Sequence, residues 1–229
     1  MAKLSIIIPT LNAAAALRCS LPPLAEFGAL DLIREVIVAD GGSTDETAAI
    51  AEAAGARFVA ASAGRGTQLT TGADVARGDW LLFLHADTVL QPGWDKAVRE
   101  FIGDEGNLRR AGYFRFALDD GRLGARRVQW LTNMRARILG LPYGDQGLLI
   151  SRGFYRKVGG FRPLALMEDV DIVRRIGRGR LRMLKATAVT SAERYRRDGF
   201  WRRPIRNQFC LFLWLMGASL DRIERIYYR

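Results

Sequence analysis

Cysteine and histidine are almost absent from the sequence. Its 229 residues include two cysteines, Cys19 and Cys210, which form no CxxC pair, and a single histidine, His85. A disulfide framework and a multi-histidine metal site are therefore excluded. The amino terminus has no secretory signal pattern, and no apolar run reaches the ~20 residues of a transmembrane helix. We therefore expect a cytoplasmic protein.

Lysine is also scarce, since arginine supplies 31 of the 35 basic residues. Residues 1–108 carry a net charge of −6, whereas residues 109–229 carry +17. A basic half of this kind indicates either arginines spread over solvated faces or contact with nucleic acid, an anionic membrane surface or a phosphorylated substrate. Because no finger or interleaved aromatic motif accompanies the charge, we expect no nucleic-acid partner.

The sequence does contain enough apolar material for a full core, because 49% of its residues are hydrophobic and 26% are charged, as in globular proteins. In the first half, strand patterns alternate with helical patterns, which predicts βαβ units and a parallel sheet. The predicted strands are 4–8 (ended by Pro9), 35–39, 57–60 and 80–85, and the predicted helices are 13–17 (capped by Asn12), 46–54 and 66–76.

The second half is less regular. Its predicted strands are 113–118 and 148–150, and its predicted helices are 126–139, 152–158 and 168–176. No repeat or linker interrupts the chain, so we predict one domain over 1–229, made of a first half 1–108, a second half 109–208 and an apolar helical tail 209–229. The apolar run 209–220 is compatible with a buried helix, a homodimer face, or a helix lying on a membrane between flanking arginines.

Polar clusters follow three of the predicted strands. They occupy residues 9–12, 40–45 and 85–88. In open parallel sheets, ligands bind outside the carboxyl ends of the strands. The three clusters therefore predict a ligand site at that edge of the sheet.

Four strings, taken together and in this order, resemble glycosyltransferase family 2. They are IIIPTLN (6–12), VIVADGGSTDET (36–47), GDWLLFLHADT (78–88) and MEDVD (167–171). The resemblance implies a single-domain α/β fold of the A type, in which helices flank a Rossmann-like, mostly parallel sheet. It also implies transfer of a sugar from a nucleoside-diphosphate sugar. FLHADT together with YGDQG (143–147) is similar to a bacterial subgroup associated with radical-SAM proteins and arsenosugar biosynthesis.

The resemblance implies a Mn²⁺ or Mg²⁺ site after the fourth strand. The family places Asp-x-Asp there, and this chain has His85 and Asp87 in those positions. A metal held by a carboxylate would neutralise the charge that develops on the departing diphosphate. Imidazole suits Mn²⁺ better than Mg²⁺, although His85 is equally compatible with a packed histidine at a strand end.

The first half is expected to bind the donor. By resemblance, Asp40 accepts hydrogen bonds from the base or the ribose; its alternative role is to cap a turn. Arg65, at the start of a helix, is expected to meet the diphosphate, or else to lie in a solvated loop. Asp45 is either a ligand or a helix-capping residue. The remaining donor-side residues are Pro9, Thr10, Asn12, Gly41 and Ser43.

The second half is expected to perform the transfer. By resemblance, Asp169 of the Glu168-Asp169 pair removes the acceptor proton in an inverting reaction. Asp145 and Gln146 are expected to hold sugar hydroxyls, and Arg194 to contact the diphosphate. Asp171 is expected to face solvent. The Gln-x-x-Arg-Trp signature of processive members is missing, which predicts non-processive transfer.

The acceptor is the least defined partner. The basic half favours an anionic or lipid-linked acceptor, or an anionic small molecule of the arsenosugar type, together with peripheral contact with a membrane. Two alternative functions stay open, namely a catalytically impaired sugar-nucleotide-binding homologue and a nucleotidyltransferase of the same fold. The second is disfavoured because residues 9–12 are not a glycine-rich, basic loop.

Overall fold

The computed structural model describes residues 3–25 and 31–227. Within these ranges, eight strands form one sheet whose order is β3-β2-β1-β4-β7-β6-β8-β5 when they are numbered along the chain. The strands are β1 Leu4–Thr10, β2 Ile33–Asp40, β3 Arg57–Ala60, β4 Trp80–Phe83, β5 Thr88–Leu90, β6 Ala111–Leu118, β7 Leu148–Ser151 and β8 Leu181–Thr190.

The sheet is parallel in the first half of the chain and mixed in the second. Strands β3, β2, β1 and β4 are mutually parallel, whereas β7 is antiparallel to both β4 and β6. The predicted α/β fold with a helix-flanked sheet is therefore confirmed. The short strand β5 and the whole of β8 were not predicted, because β5 has three residues and β8 lacks a regular alternation of buried and exposed positions.

Ten α-helices lie within the described ranges; most flank the sheet, and α9 and α10 pack against the start of α7. The predicted helices 46–54, 66–76, 126–139, 152–158 and 168–176 are confirmed to within a few residues, whereas α4 and α8 were not predicted. The helices are α1 Ala14–Ser20, α2 Thr47–Ala53, α3 Arg65–Val75, α4 Trp94–Ile102, α5 Leu123–Leu139, α6 Arg152–Lys157, α7 Glu168–Ile176, α8 Glu193–Asp198, α9 Arg202–Leu215 and α10 Leu220–Tyr227.

Strand β1 is apolar on both sides because both of its faces are covered. Ile6 and Ile8 belong to one core cluster, with residues of α1, α2 and α4, and Ile7 belongs to a second cluster with residues of α3, α6 and α7. Such double burial explains why central parallel strands are continuous apolar runs. Because β1, β2 and β4 are parallel, their carboxyl ends lie at one edge of the sheet, where the polar clusters follow them.

Pro9 does not end β1, contrary to the prediction, and Thr10 is the last residue of the strand. The carbonyl of Ile7 accepts a hydrogen bond from Leu84 on the β4 side. The backbone of Pro9, two residues further on, faces the same side, where the pairing with β4 has already stopped at Ile7. A proline is tolerated at this position because no ladder bond requires its missing N–H.

The predicted tail divides into two helices. The predicted boundary at 208/209 falls inside α9, and α10 packs back on it; residues 228–229 lie outside the described part. Cys210, Leu211 and Ile223 are buried against Leu166 and Met167, so one face of the tail belongs to the core. None of the helices in the described residues combines the length and apolar character needed to cross a bilayer.

The start of α3 is in close contact with the segment that leads to α7. A Cβ on Gly66 would lie 2.2 Å from the carbonyl oxygen of Arg162, and the Gly66 amide donates to the Leu164 carbonyl at 3.3 Å. Glycine is therefore required here by the approach of a second backbone. This contact holds α3 and the entrance to α7 together.

We predict that Gly66→Ala destabilises the protein, whereas Gly153→Ala does not. Both glycines occupy the second position of a helix, in α3 and α6, but an added Cβ at Gly153 meets nothing within 4 Å. Alanine at Gly153 should raise the free energy of unfolding by ~0.5–1 kcal/mol, and alanine at Gly66 should lower it by ~1–3 kcal/mol. Urea unfolding measures both changes, and an equal effect of the two substitutions would contradict the close contact.

Candidate functional site

The turns after β1 and β2 interlock through side chains. The Asn12 amide donates to Ser43 Oγ at 2.7 Å, and Asn12 Oδ1 accepts from the Thr44 amide at 2.9 Å. Asn12 adopts a left-handed conformation with φ 50°, which asparagine tolerates better than most residues. The prediction that Asn12 caps α1 is wrong, because its side chain points across to the other turn.

Asp45 caps two helices instead. Its Oδ2 accepts from the Ala14 amide in the first turn of α1, and its Oδ1 accepts from the Thr47 amide at the start of α2, both at 3.0 Å. The hydroxyl of Thr47 lowers the pKa of Asp45, together with these amides and against a small effect of desolvation. Of the two interpretations of Asp45, the structure supports capping.

Asp40 is buried at the end of β2 and organises the turn that follows. Its Oδ1 accepts from the hydroxyls of Thr10 and Ser43, and its Oδ2 accepts from the amides of Gly42 and Ser43. Burial alone would raise the pKa of Asp40, but these hydrogen bonds outweigh it and hold the pKa below its usual value. Since all four acceptor positions of the carboxylate are used, a contact with a base would have to replace one of them.

Gln68 of α3 is hydrogen-bonded to the ends of β1 and β2, a role that was not predicted from the sequence. Its buried side-chain Nε2 donates to the carbonyls of Thr10 and Ala39. The Gly41 amide donates to the Thr10 carbonyl at 2.8 Å, and a Cβ on Gly41 would lie 3.1 Å from Gln68 Nε2. Hydrogen bonds therefore hold Thr10 and Gly41 in place, next to Pro9, on the predicted donor side.

Arg65 and Glu168 join the two halves of the chain. Arg65 Nη1 lies 3.3 Å from Glu168 Oε1. Glu168 is 1% exposed, whereas the side chain of Arg65 is 32% exposed. Burial and the neighbouring charge of Asp169 raise the pKa of Glu168, and Arg65 opposes them. Arg65 is therefore paired with Glu168 and does not lie in a solvated loop, which was the alternative interpretation of this residue.

Asp169 faces a different group from its neighbour. Its Oδ2 accepts from the Gly144 amide at 2.8 Å, and its Oδ1 accepts from the Val170 amide at 2.7 Å. On the other side of Gly144, a Cβ would lie only 2.3 Å from His85 Nε2. Successive helical residues point about 100° apart, which explains why Glu168 and Asp169 reach separate partners.

The surroundings of His85 disfavour its charged form. Burial lowers its pKa well below the usual value, and the charges of Arg65 and Arg194 act in the same direction. Arg194 is exposed on α8 and nevertheless acts on His85, so the fold brings these three predicted residues to one place. The contact of the His85 ring with Gly144 is that of a packed histidine, and its role as a metal ligand stays a prediction.

The charges of Asp87 and Asp169 both act on Asp145. Burial raises the pKa of Asp145 to about 6; the Arg135 guanidinium opposes the rise, and the charges of Asp169 and Asp87 add to it. Asp145 Oδ1 and Gln146 Oε1 are buried with no partner among the described residues. Across the same ranges, the structure gives Asp87 no hydrogen bond or ion pair. In contrast to the buried oxygens of Asp145 and Gln146, Asp87 is partly exposed and without a partner in the described residues.

Arg135 of α5 was missed by sequence reasoning. Its guanidinium carbon lies 3.3 Å from the centre of the Tyr143 ring, and its Nε donates to the Leu141 carbonyl. Nothing in the local sequence distinguishes it from the other arginines of α5.

The expectation that Asp171 faces solvent is wrong, because Asp171 is 6% exposed and paired with Arg162 and Arg175.

A small cleft lies between β4, α3 and α7. Its surface is mostly apolar, with Leu69 and Phe83 among its side chains, and its lining also includes His85, Gly144, Glu168 and Asp169. Within the described chain, no group of three or more histidine, cysteine or acidic residues is placed to hold a metal by itself. Any divalent ion here would therefore depend on ligand oxygens as well.

A sequence model for glycosyl transferase family 2 matches residues 5–148, which is more than half of the chain. The chain belongs to glycosyl transferase family 2. It is also 42% identical over 108 residues to a PGL/p-HBAD biosynthesis glycosyltransferase of Mycobacterium tuberculosis and to one of Mycobacterium bovis. These matches span 44% of this chain and only 41% of each relative.

Solved structures show that this family 2 chain has the A-type glycosyltransferase fold. Glucosyl-3-phosphoglycerate synthase from Mycobacterium tuberculosis, crystallised with Mn²⁺, UDP and glucosyl-3-phosphoglycerate, aligns with a TM-score of 0.60 at 20% identity, over 95% of this chain and 81% of that one. The same enzyme has been crystallised with Mg²⁺ and UDP. S. aureus TarS aligns with a TM-score of 0.62 at 17% identity, over 98% of this chain and 69% of the other.

We predict that Asp145 makes the stability of this family 2 protein depend on pH. A carboxyl group with a raised pKa binds more protons when folded, so stability falls as the pH rises from the usual pKa of 3.8 towards about 6. Asp145→Asn should flatten this part of the curve, and Asp74→Asn, on the exposed side of α3, should not. Urea unfolding at a series of pH values measures both, and an unchanged slope in Asp145→Asn would show that its pKa is not raised.

Proposed function

We propose that the protein transfers a sugar from a nucleoside-diphosphate sugar to an acceptor, with inversion and without processivity. The observation that carries this proposal is that Arg65, Asp87 and Asp169 lie near enough to act on Asp145, beside a cleft that Asp169 lines. Family membership favours glycosyl transfer over the nucleotidyltransferase alternative. The relatives and structural neighbours are named as glycosyltransferases or crystallised with UDP and a sugar-containing ligand.

On this proposal, the interlocked turns after β1 and β2 hold the nucleoside. Pro9, Thr10 and Gly41 would contact the nucleoside. Gln68 and the Gly41 amide hold the Thr10 carbonyl in place by hydrogen bonds, and Asp40 lies next to Gly41. Such prior ordering reduces the entropy lost on binding. Arg65 and Arg194, whose charges both reach His85, would then face the diphosphate.

The residues present fit a divalent ion, Mn²⁺ or Mg²⁺, that is completed by the donor. Magnesium is commonly held by one or two carboxylates together with substrate phosphates, which agrees with the lack of a group of three protein ligands in the described chain. Asp87 would hold the ion, and His85 is the next candidate. The bound ion would supply charge neutralisation for the leaving diphosphate.

Asp169 is proposed as the general base. The Gly144 amide fixes one of its oxygens at 2.8 Å, which leaves the carboxylate oriented towards the cleft. Glu168 is committed to its ion pair with Arg65. Asp145 and Gln146 are proposed to hold sugar hydroxyls; their unpartnered oxygens are buried in the described chain.

The acceptor is proposed to be anionic or lipid-linked. The second half of the chain forms the wall opposite the donor side, and its net charge of +17 attracts negative charge. The structural neighbour from Mycobacterium tuberculosis has also been crystallised with phosphoglyceric acid. An anionic small molecule of the arsenosugar type, which the FLHADT and YGDQG strings suggest, falls within the same class.

The donor and the metal can be tested together. We predict that Asp87→Asn leaves the fold intact but abolishes Mn²⁺-dependent binding of a nucleoside-diphosphate sugar, because an amide cannot neutralise a divalent ion. Titration calorimetry with a panel of sugar nucleotides, with and without Mn²⁺, measures the loss, and Asp74→Asn is the matched control. If the wild type binds none of the panel, the donor proposal is wrong; if Asp87→Asn binds as well as the wild type, Asp87 is structural.

The base can be tested by turnover. We predict that Asp169→Asn keeps donor affinity within about twofold and lowers turnover by ~10² or more, as the loss of a positioned base does. The asparagine Oδ1 can still accept from Gly144, so the fold should survive. The turnover rate is measured from the release of nucleoside diphosphate. Turnover equal to that of the wild type would remove Asp169 from the mechanism, and a wild type that binds donor but never turns over would support the impaired homologue.

A further inference from the structure

Helix α9 exposes an apolar stripe on its outer side. Its members are spaced four, four, three and four residues apart, so they fall within an arc of roughly 80° around the helix. They are between 48% and 71% exposed. We call them the α9 stripe: Trp201, Ile205, Phe209, Phe212 and Met216.

Helix α5 continues this surface. Leu123 is 70% exposed and Trp130 is 62% exposed on its outer side. The guanidinium of Arg127, which lies on the same side of α5, sits 5.7 Å from the centre of the Trp201 ring. This contact joins the outer side of α5 to the beginning of the α9 stripe.

The charged residues of these two helices are all basic. Helices α5 and α9 together contain seven arginines and no aspartate or glutamate; two of the arginines, Arg203 and Arg206, pair with Asp198 of α8. Arg126, Arg127 and Arg202 are exposed among the apolar side chains. Exposed tryptophan and phenylalanine flanked by arginine are typical of helices that lie in the interface of an anionic bilayer.

We propose that α5 and the α9 stripe form a docking surface for an anionic membrane. The apolar side chains would enter the boundary between headgroups and acyl chains, and the arginines would contact the anionic headgroups. This surface does not depend on the sugar transfer proposed above. Neither helix is long enough to span the bilayer, so the contact is peripheral.

Charge argues against a second copy of the chain as the occupant. In a symmetric dimer the same patch meets itself, so the arginines of one copy would face those of the other without an acidic partner on either helix. Juxtaposed like charges oppose such an association. An anionic lipid surface satisfies both the apolar and the basic parts of the patch.

The same helices also reach the site. Arg135 of α5 stacks on Tyr143 and acts on Asp145. Arg203 of α9 lies over the ring of Tyr195 in α8, the helix that carries Arg194. Docking through α5 and α9 would therefore bring the second-half wall of the cleft towards the bilayer, where a lipid-linked acceptor would be found.

The test is co-sedimentation of the full chain with phosphatidylcholine vesicles, with and without about 30% phosphatidylglycerol. We expect binding to the anionic vesicles alone, weakened by salt. The double variant Trp201→Ser/Phe209→Ser should lose binding by at least tenfold, and Arg126→Gln/Arg202→Gln should lose about fivefold per arginine. Bromine-labelled lipids should quench the fluorescence of the wild type but not that of the first variant.

Matched controls lie in the first half of the chain. Leu108→Ser removes a side chain that is 51% exposed, and Arg34→Gln removes an exposed charge on β2; neither should change vesicle binding. Absence of binding to anionic vesicles at low salt would overturn the proposal. So would a solution dimer, detected by light scattering, that the Trp201→Ser/Phe209→Ser variant dissociates.

Discussion

The ion pair between Arg65 and Glu168 links the two halves of the molecule at the cleft. Arg65 begins α3, which packs beneath the donor-side strands, and Glu168 begins α7 in the second half. Because Glu168 is almost completely buried, its position fixes the first turn of α7 and with it the direction of Asp169 towards Gly144. Removing one partner of such a pair leaves a buried charge uncompensated, so the geometry of the proposed base depends on a residue of the donor side.

The cleft itself combines opposed charges. Burial is the main cause of the raised pKa of Asp145, and the charges of Asp169 and Asp87 add to it. Burial likewise lowers the pKa of His85, and the charges of Arg65 and Arg194 act in the same direction. Acidic and basic groups therefore lie close together here, as the proposed binding of a metal-bound sugar nucleotide requires. Met167, a non-glycine residue with φ 64°, immediately precedes Glu168.

In the second half of the chain, the same helices carry residues near the cleft and residues of the proposed docking surface. Helix α5 carries Arg135, which stacks on Tyr143 of the cleft, and Trp130 on its outer surface. Helix α9 likewise carries the buried Arg203 and the exposed Phe209. The excess of positive charge that the sequence shows for residues 109–229 is therefore not evenly spread. Part of it pairs with Asp198 and Asp171, and part remains on the outer surface of α5 and α9.

The sequence by itself determined the elements whose signals are local. Apolar periodicity and glycine turns predicted β2, β3, α2 and α7 nearly to the residue, and the polar clusters after β1, β2 and β4 predicted a ligand site at one edge of the sheet, because strand ends of a parallel sheet share one edge. Only the tertiary structure decided the partners of the charged groups. Asp45 caps a helix 31 positions away, Arg65 meets Glu168 across 103 positions, and Asp171 is buried between arginines. Burial and pairing depend on which elements pack together, and no local pattern carries that information.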